Sequence, residues 1–521
     1  MYVKLLSASV FGIEGRFIEV EVDICSGLPQ VSVVGLPDSA VRESVERVRA
    51  AIKNGGMKFP MDRITINLAP ADLRKEGSAF DLAIAAGILC ASGQVSPQLL
   101  EDTLFIGELA LNGSVRNVPG VLPMTELARR AGVRRVIVPK DAVVEASLIN
   151  GIDVFGIASL DDWVSGTLIM KQRGRSLVNT DKERHLEPSS LDEDNAQTVH
   201  QLDLSDVVGQ TQGKRALLVS AAGMHNIMFI GPPGTGKTML CRRLPTIMPP
   251  LDDEEALTVT KIFSVCGKLS NGHAGLIRKR PFRAPHHSIS TAGLIGGGSI
   301  PKPGEVTLSH HGILFLDEMP EFSRTALEAL RQPLEDREVM IGRVRGVCQF
   351  PARFMLAASM NPCPCGYSGG TSEDRVCTCS PAAISRYRAR MSGPLADRLD
   401  LQVELPRQSV RTQEKDGLTL TSLQAREQVI EAASRQRLRY CNRGIRWNSE
   451  LQGPLLQQYT KLSTDAEDLL HLVYNQLGLS FRAHDRILKM SRTIADLSGR
   501  ETICSDDVAE AISYRCLDTL T

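Results

Sequence analysis

"MFIGPPGTGKTML" occupies residues 228–240. Within it Gly231, Pro232, Pro233, Gly234, Thr235, Gly236, Lys237 and Thr238 fit the pattern G-x-x-x-x-G-K-[ST] in full. An apolar run, "NIMFI", precedes the pattern, and a helix-forming run, "KTMLCRRL", follows it. That is a strand, a glycine turn and a helix N-terminus in the order a phosphate-binding loop requires. Glycines let backbone N–H groups close around phosphate oxygens, and the helix end adds partial positive charge. Lys237 is expected to reach the β- and γ-phosphates of ATP, with the Thr238 hydroxyl on Mg²⁺.

About 80 residues on, "GILFLDEMPEF" places Asp317 and Glu318 after four apolar residues. Such a run reads as a buried parallel strand. Asp317 at its carboxyl end is expected to hold Mg²⁺ through water, and Glu318 to polarise the attacking water. Taken alone, two acids there would more often cap the next helix; the phosphate loop shifts the balance. A further strand, "RFMLAASMN", ends at Asn361, whose amide suits orienting a lytic water or sensing the γ-phosphate. Asn361 equally suits the start of a turn before Pro362.

Bulk composition limits the rest. The 521 residues suffice for two to four domains, and 42% hydrophobic with 23% charged residues describes an ordinary globular chain. Sixty basic residues balance sixty acidic ones, which excludes a generally basic DNA-coating protein but leaves room for local basic patches. Aromatics at 4% argue against a surface built on base stacking. No signal peptide or membrane-spanning run is evident, and most of the 12 cysteines are scattered singly, which suits a reducing cytoplasm.

Alternating strand-like and helical runs make residues 1–168 a mixed α/β domain. The polar stretch around 169–203 reads as a linker, 204–405 as a second α/β domain, and 406–521 as helical. In "TDAEDLLHLVYNQLG", Thr464 and Glu467 have capping-box spacing, and Ser505 is the expected N-cap of the last helix.

Together "VVGQ", "GPPGTGKT", "LFLDE", Asn361 and "GPLADRLDL" follow the order of an AAA+ ATPase of the magnesium-chelatase branch. "GLPDSAVRESVERVRAAI", "RITINLAPADLRKEG", "RPFRAPHHSIS" and "SRTIADL" extend the resemblance to the ComM/YifB family over nearly all of residues 1–516. The resemblance implies a Lon-protease-like α+β first domain, a central AAA+ domain, a helical lid, and a ring, expected to be a homohexamer, with active sites between subunits. It matches Arg398 in "LADRLD" to the arginine finger and Arg482 in "GLSFRAHDRIL" to the lid arginine called sensor 2. Read without it, either arginine serves as well in a surface ion pair.

Laid over the serine–lysine dyad of Lon proteases, "RKEGSAFDLAIA" puts Ala79 at the nucleophile, and "NGSVRNVPGVLPMTELARRAG" puts Leu122 at the lysine. Both dyad members are absent. Ser78 beside Lys75 is a shifted pair that would need the two within hydrogen-bond reach.

"CPCGYSGGTSEDRVCTC" sets Cys363, Cys365, Cys377 and Cys379 as C-x-C…C-x-C. Four thiolates satisfy a structural Zn²⁺; a reduced loop and a redox-labile pair are the alternatives. In "REVMIGRVRGVCQFPARF" two strand-like arms flank Arg343 and Arg345, a hairpin with a basic tip. The equivalent hairpin of related ring helicases enters the pore, where arginines hold phosphates without reading sequence; a solvated turn is the plainer role. Three functions follow: a motor on single-stranded and branched DNA that promotes branch migration during natural transformation, a remodeller of a protein partner, and an ATP-fed protease. The absent dyad disfavours the third, and the basic tip favours the first.

Overall fold

The computed structural model describes residues 1–71, 75, 77–166, 169–170, 202–269, 275–298, 301–343, 346–368, 376–391, 393–407, 420–478 and 480–515. Two compact units result, one of residues 1–196 with 253–277, the other of 197–252 with 278–521. Most of the expected linker lies outside the described residues.

The first unit is built on an eight-stranded mixed sheet. Its middle is the antiparallel set Tyr2–Phe11, Glu14–Cys25 and Arg63–Ala69, whose alternating residues bury one face. Gln30–Val34 closes one edge, parallel to Arg63–Ala69. Thr103–Phe105, Arg135–Pro139 and Asp153–Ile157 extend the other side in parallel. Asp81–Ala91 is a helix with every residue buried. It lies so close to the sheet that a Cβ on Gly87 would come within 2.7 Å of Val22 and 3.0 Å of Leu5. Its one acid, Asp81, pairs with Arg47 at 2.8 Å. Burial pushes that carboxyl up to about 6 in spite of the guanidinium. The helix Asp253–Val265, downstream of the phosphate loop in sequence, groups with this unit: the buried Lys261 ammonium lies 2.8 Å from Glu14 and 2.6 Å from Glu126.

In the second unit five parallel strands run in the order Phe282–Arg283, Ile313–Leu316, Met355–Met360, Ile227–Ile230, Leu401–Glu404. The three in the middle are buried at every residue, as continuous apolar runs in a sheet covered on both faces must be. Helices Ser422–Arg439, Thr464–Leu477, Phe481–Leu497 and Ser505–Ser513 follow. Strands, helices and their core match the AAA+ domain with helical lid.

Two helix starts differ from expectation by one residue. Ser463, not Thr464, caps Thr464–Leu477: its backbone is extended and its hydroxyl accepts from the Ala466 N–H. Thr464 is already helical and so cannot cap. Cys504 precedes Ser505–Ser513, and Asp507 accepts the Cys504 N–H at 2.9 Å, leaving Ser505 as the first helical residue. Among the described residues no helix is long and apolar enough to cross a membrane.

Candidate nucleotide site

Three adjacent parallel strands deliver the site, because their carboxyl ends share one edge of the sheet, where α/β folds bind ligands. From Ile227–Ile230 the chain enters the loop 231–236 and then the helix Lys237–Ile247. Gly231 packs so tightly that a Cβ would sit 2.5 Å from the Leu405 carbonyl oxygen. Gly234 and Gly236 have φ of 80° and 87°, a left-handed backbone, and a Cβ on either would meet nothing within 4 Å. Glycine is thus required at one end for close packing and at the other for conformation, with open space for a ligand. Gln210 fastens the loop, donating to the Thr235 carbonyl at 3.2 Å and the Pro406 carbonyl at 2.9 Å.

Lys237 is buried, and its ammonium donates to the Gly231 carbonyl at 2.6 Å, the Pro232 carbonyl at 2.9 Å and Asn361 Oδ1 at 3.2 Å. Burial lowers its pKa, opposed by the Asp317 and Glu318 charges. The Thr238 hydroxyl lies 3.1 Å from Asp317 Oδ2 and 3.3 Å from Oδ1, so the two candidate Mg²⁺ ligands are already side by side. Their all-oxygen chemistry suits that hard cation, and the open glycine cradle beside a desolvated ammonium suits phosphate. Glu318 is exposed, with a φ of 50° that turns it out of the strand direction.

Ser359, which the sequence reading passed over, organises both acids. Its hydroxyl donates to Asp317 Oδ1 and accepts the Glu318 N–H at 3.1 Å. The available signal was a fully buried serine in an apolar strand, two residues before Asn361.

Arg398 and Arg482 are brought to each other's neighbourhood but not to this loop. Both line a cavity of about 420 Å³ that includes no residue of 231–238. Arg398 pairs with Glu335, and Arg482 lies 3.9 Å from Asp397. Six of the lining side chains are cationic, among them Arg337, Arg353 and Lys489. Burial lowers the Lys489 pKa.

The four cysteines converge. Their sulfurs all lie within 4.8 Å of one another, with Cys363 at 3.3 Å from Cys365 and 3.7 Å from Cys377, and Cys365 at 3.5 Å from Cys377. A tetrahedral Zn²⁺ with bonds of about 2.3 Å sets sulfurs about 3.8 Å apart, so the arrangement fits that ion. Between Glu338–Arg343 and Gly346–Pro351 an antiparallel hairpin pairs Arg343 with Gly346. Arg345 and the Arg343 side chain lie outside what the structure describes. In the first unit Ser78 donates to Glu108 and Lys75 to the Pro70 carbonyl, so the shifted pair engages different groups.

Residues 203–413 match the family model described as magnesium chelatase, subunit ChlI; 20–142 match subunit ChlI of Mg-chelatase, and 419–515 its C-terminal part. Competence protein ComM of Haemophilus influenzae is 43% identical over 98% of this chain and 97% of its own. The uncharacterised protein YifB of Escherichia coli is 41% identical over 98% of this chain and 96% of its own. Lon protease 2 of Bacillus subtilis is 27% identical over 30% of this chain and 31% of its own. Two close full-length relatives, the three chelatase matches and the parallel sheet with its phosphate loop agree: the chain belongs to the ComM/YifB family of magnesium-chelatase-like AAA+ ATPases, with a Lon-protease-like N-terminal domain.

Proposed function

We propose that this ATPase is a ring-shaped motor of the cytoplasm: a homohexamer that moves along single-stranded and branched DNA and promotes branch migration when incoming strands are integrated during natural transformation. The observation that carries the ring is the grouping of Arg398 and Arg482 at a cavity apart from their own phosphate loop. A finger and a sensor that line a cavity without residues of their own phosphate loop suit a neighbour's loop. The DNA reading draws on the 43% identity to a protein named for competence, on the hairpin of Glu338–Arg343 with Gly346–Pro351, and on the arginines that the sequence sets at 343 and 345.

Within each site, Lys237 binds the β- and γ-phosphates, Thr238 and Asp317 hold Mg²⁺, Glu318 takes the proton of the attacking water, and Asn361 orients it. Magnesium, when bound, neutralises phosphate charge. Arg398 and Arg482 stabilise the charge that develops on the neighbour's γ-phosphate. Cys363, Cys365, Cys377 and Cys379 hold one structural Zn²⁺. The domain of residues 1–168 serves assembly or DNA engagement and not proteolysis, since Ala79 and Leu122 supply neither nucleophile nor base.

The test is ATP turnover with and without single-stranded and branched DNA, repeated with Arg343 and Arg345 both changed to alanine. The parent should be stimulated by DNA, with binding that weakens steeply as salt rises. The double variant should keep basal turnover, lose branch migration, and lower the salt slope by about one for each phosphate contact removed. A parent that binds no DNA would make remodelling of a protein partner the better reading.

A further inference from the structure

The cysteine cluster abuts the phosphate loop. Gly366, within the turn that Cys363 opens, has φ of 88° and donates its N–H to the Cys363 carbonyl at 3.0 Å. A Cβ there would come within 2.8 Å of Pro233 Cδ and 3.0 Å of its Cγ. Pro233 is the third residue of the phosphate loop, and its ring cannot swing aside as a flexible side chain would. On the strand side of the cluster, Asn361 stands two residues before Cys363 and accepts from the Lys237 ammonium. Downstream, Ser380 caps the helix Pro381–Arg388, whose Arg388 donates to the Pro362 carbonyl at 3.4 Å. The segment 361–366 therefore meets the loop at Pro233 and at Lys237 just after it, and it carries two of the four gathered sulfurs.

We propose that the metal-clamped cysteine knuckle braces the phosphate loop, so that metal occupancy sets nucleotide affinity. This rests on the reading of the four cysteines as a Zn²⁺ site and adds a role to it. A short turn between two strands or helices has little hydrogen bonding of its own to hold its shape, and each residue left unfixed gains conformational entropy. Cross-linking the turn through one ion removes that freedom. The Gly366 approach to Pro233 and the Asn361 contact with Lys237 then keep the loop in its phosphate-binding form before nucleotide arrives, and binding costs less reorganisation.

Two measurements on the full-length protein test it: zinc per chain by elemental mass spectrometry, and the Kd for a fluorescent non-hydrolysable ATP analogue. The parent should carry about one zinc per chain. Cys365→Ser with Cys377→Ser should lose the metal and bind the analogue roughly tenfold more weakly. Gly366→Ala keeps all four thiols, so it should retain zinc yet also bind more weakly, because its methyl meets Pro233 and strains the left-handed backbone that carries the turn onto the loop. That variant guards against a double cysteine variant that fails to fold. Loss of zinc with an unchanged Kd, or Gly366→Ala with the parent's Kd, would overturn the brace and leave the zinc site standing. A parent without zinc would overturn the zinc reading and the brace together.

Discussion

Asn361 Oδ1 accepts a hydrogen bond from the Lys237 ammonium at 3.2 Å. The contact joins the end of the Met355–Met360 strand to the first residue of the helix that follows Ile227–Ile230. It is possible because these two strands are direct parallel neighbours, paired from Ile227 with Ala357 to Ile230 with Met360. The side chain expected to orient water thus already reads the position of the side chain expected to hold phosphate.

Ser359 is the next link on the same strand. Changing it to alanine removes the donor to Asp317 and the acceptor of the Glu318 N–H. ATP turnover should fall about tenfold to a hundredfold, the usual cost of losing a group that orients a ligand residue. Nucleotide binding, which rests on Lys237 and the loop backbone, should change little. Steady-state turnover together with analogue binding checks the split; a variant with the parent's kcat would remove Ser359 from the site.

Glu318 should separate binding from hydrolysis in the same way, but more sharply. Glu318→Gln keeps the shape and removes the base, so turnover should drop about a hundredfold to ten-thousandfold with binding retained. Lys237→Ala should instead weaken binding itself. Turnover at the parent rate in Glu318→Gln would assign the base elsewhere.

Arg398 carries a prediction about mixing. Arg398→Ala and Lys237→Ala should each be inactive alone. Combined, some interfaces would pair an intact loop with an intact finger, and part of the ATPase should return. Activity absent at every mixing ratio would count against the finger assignment and favour the Glu335 ion pair as the role of Arg398.

Acid should destabilise the second unit through two adjacent histidines. His310 and His311 are both buried, and His310 Nδ1 accepts the Arg353 N–H at 3.0 Å. Burial first, then the Arg353 charge, holds His310 down to about 3 from its ordinary 6.5. Burial holds His311 lower still, with His310 and Arg280 adding to it. Folded pKa values below the unfolded ones mean that the unfolded chain takes up protons first as pH falls. Stability is therefore complete above pH 6.5 and is lost below it, by about 1.4 kcal/mol per pH unit for each histidine. Melting temperature followed from pH 7.5 to 5 should fall, and His310→Gln should flatten the decline. A parent curve that is level over that range would contradict the assignment.

Much of the nucleotide site was legible before any fold was known. The phosphate loop is one contiguous piece of backbone, and its glycines, lysine and threonine act at fixed offsets along it. The placing of Asp317, Glu318 and Asn361 at strand ends was legible for a related reason, since each follows a short apolar run that reads as a buried strand. The helix caps were less so. Ser463 and Thr464 are chemically similar neighbours, and which one caps depends on which leaves the helical backbone first.

Sequence alone determined what each local segment would be: strand, turn or helix, set by apolar runs and by the backbone freedom of glycine. Which segments became neighbours was decided only in the tertiary structure. Parallel pairing of Leu316 with Ala358 puts the acidic pair beside Ser359, a partner 42 residues away from Asp317 that no spacing rule singles out. The same holds for the cavity shared by Arg398 and Arg482, and for the turn that carries Gly366 onto Pro233. Hydrogen bonds and close packing act over a few ångströms of space, and chain separation does not enter them.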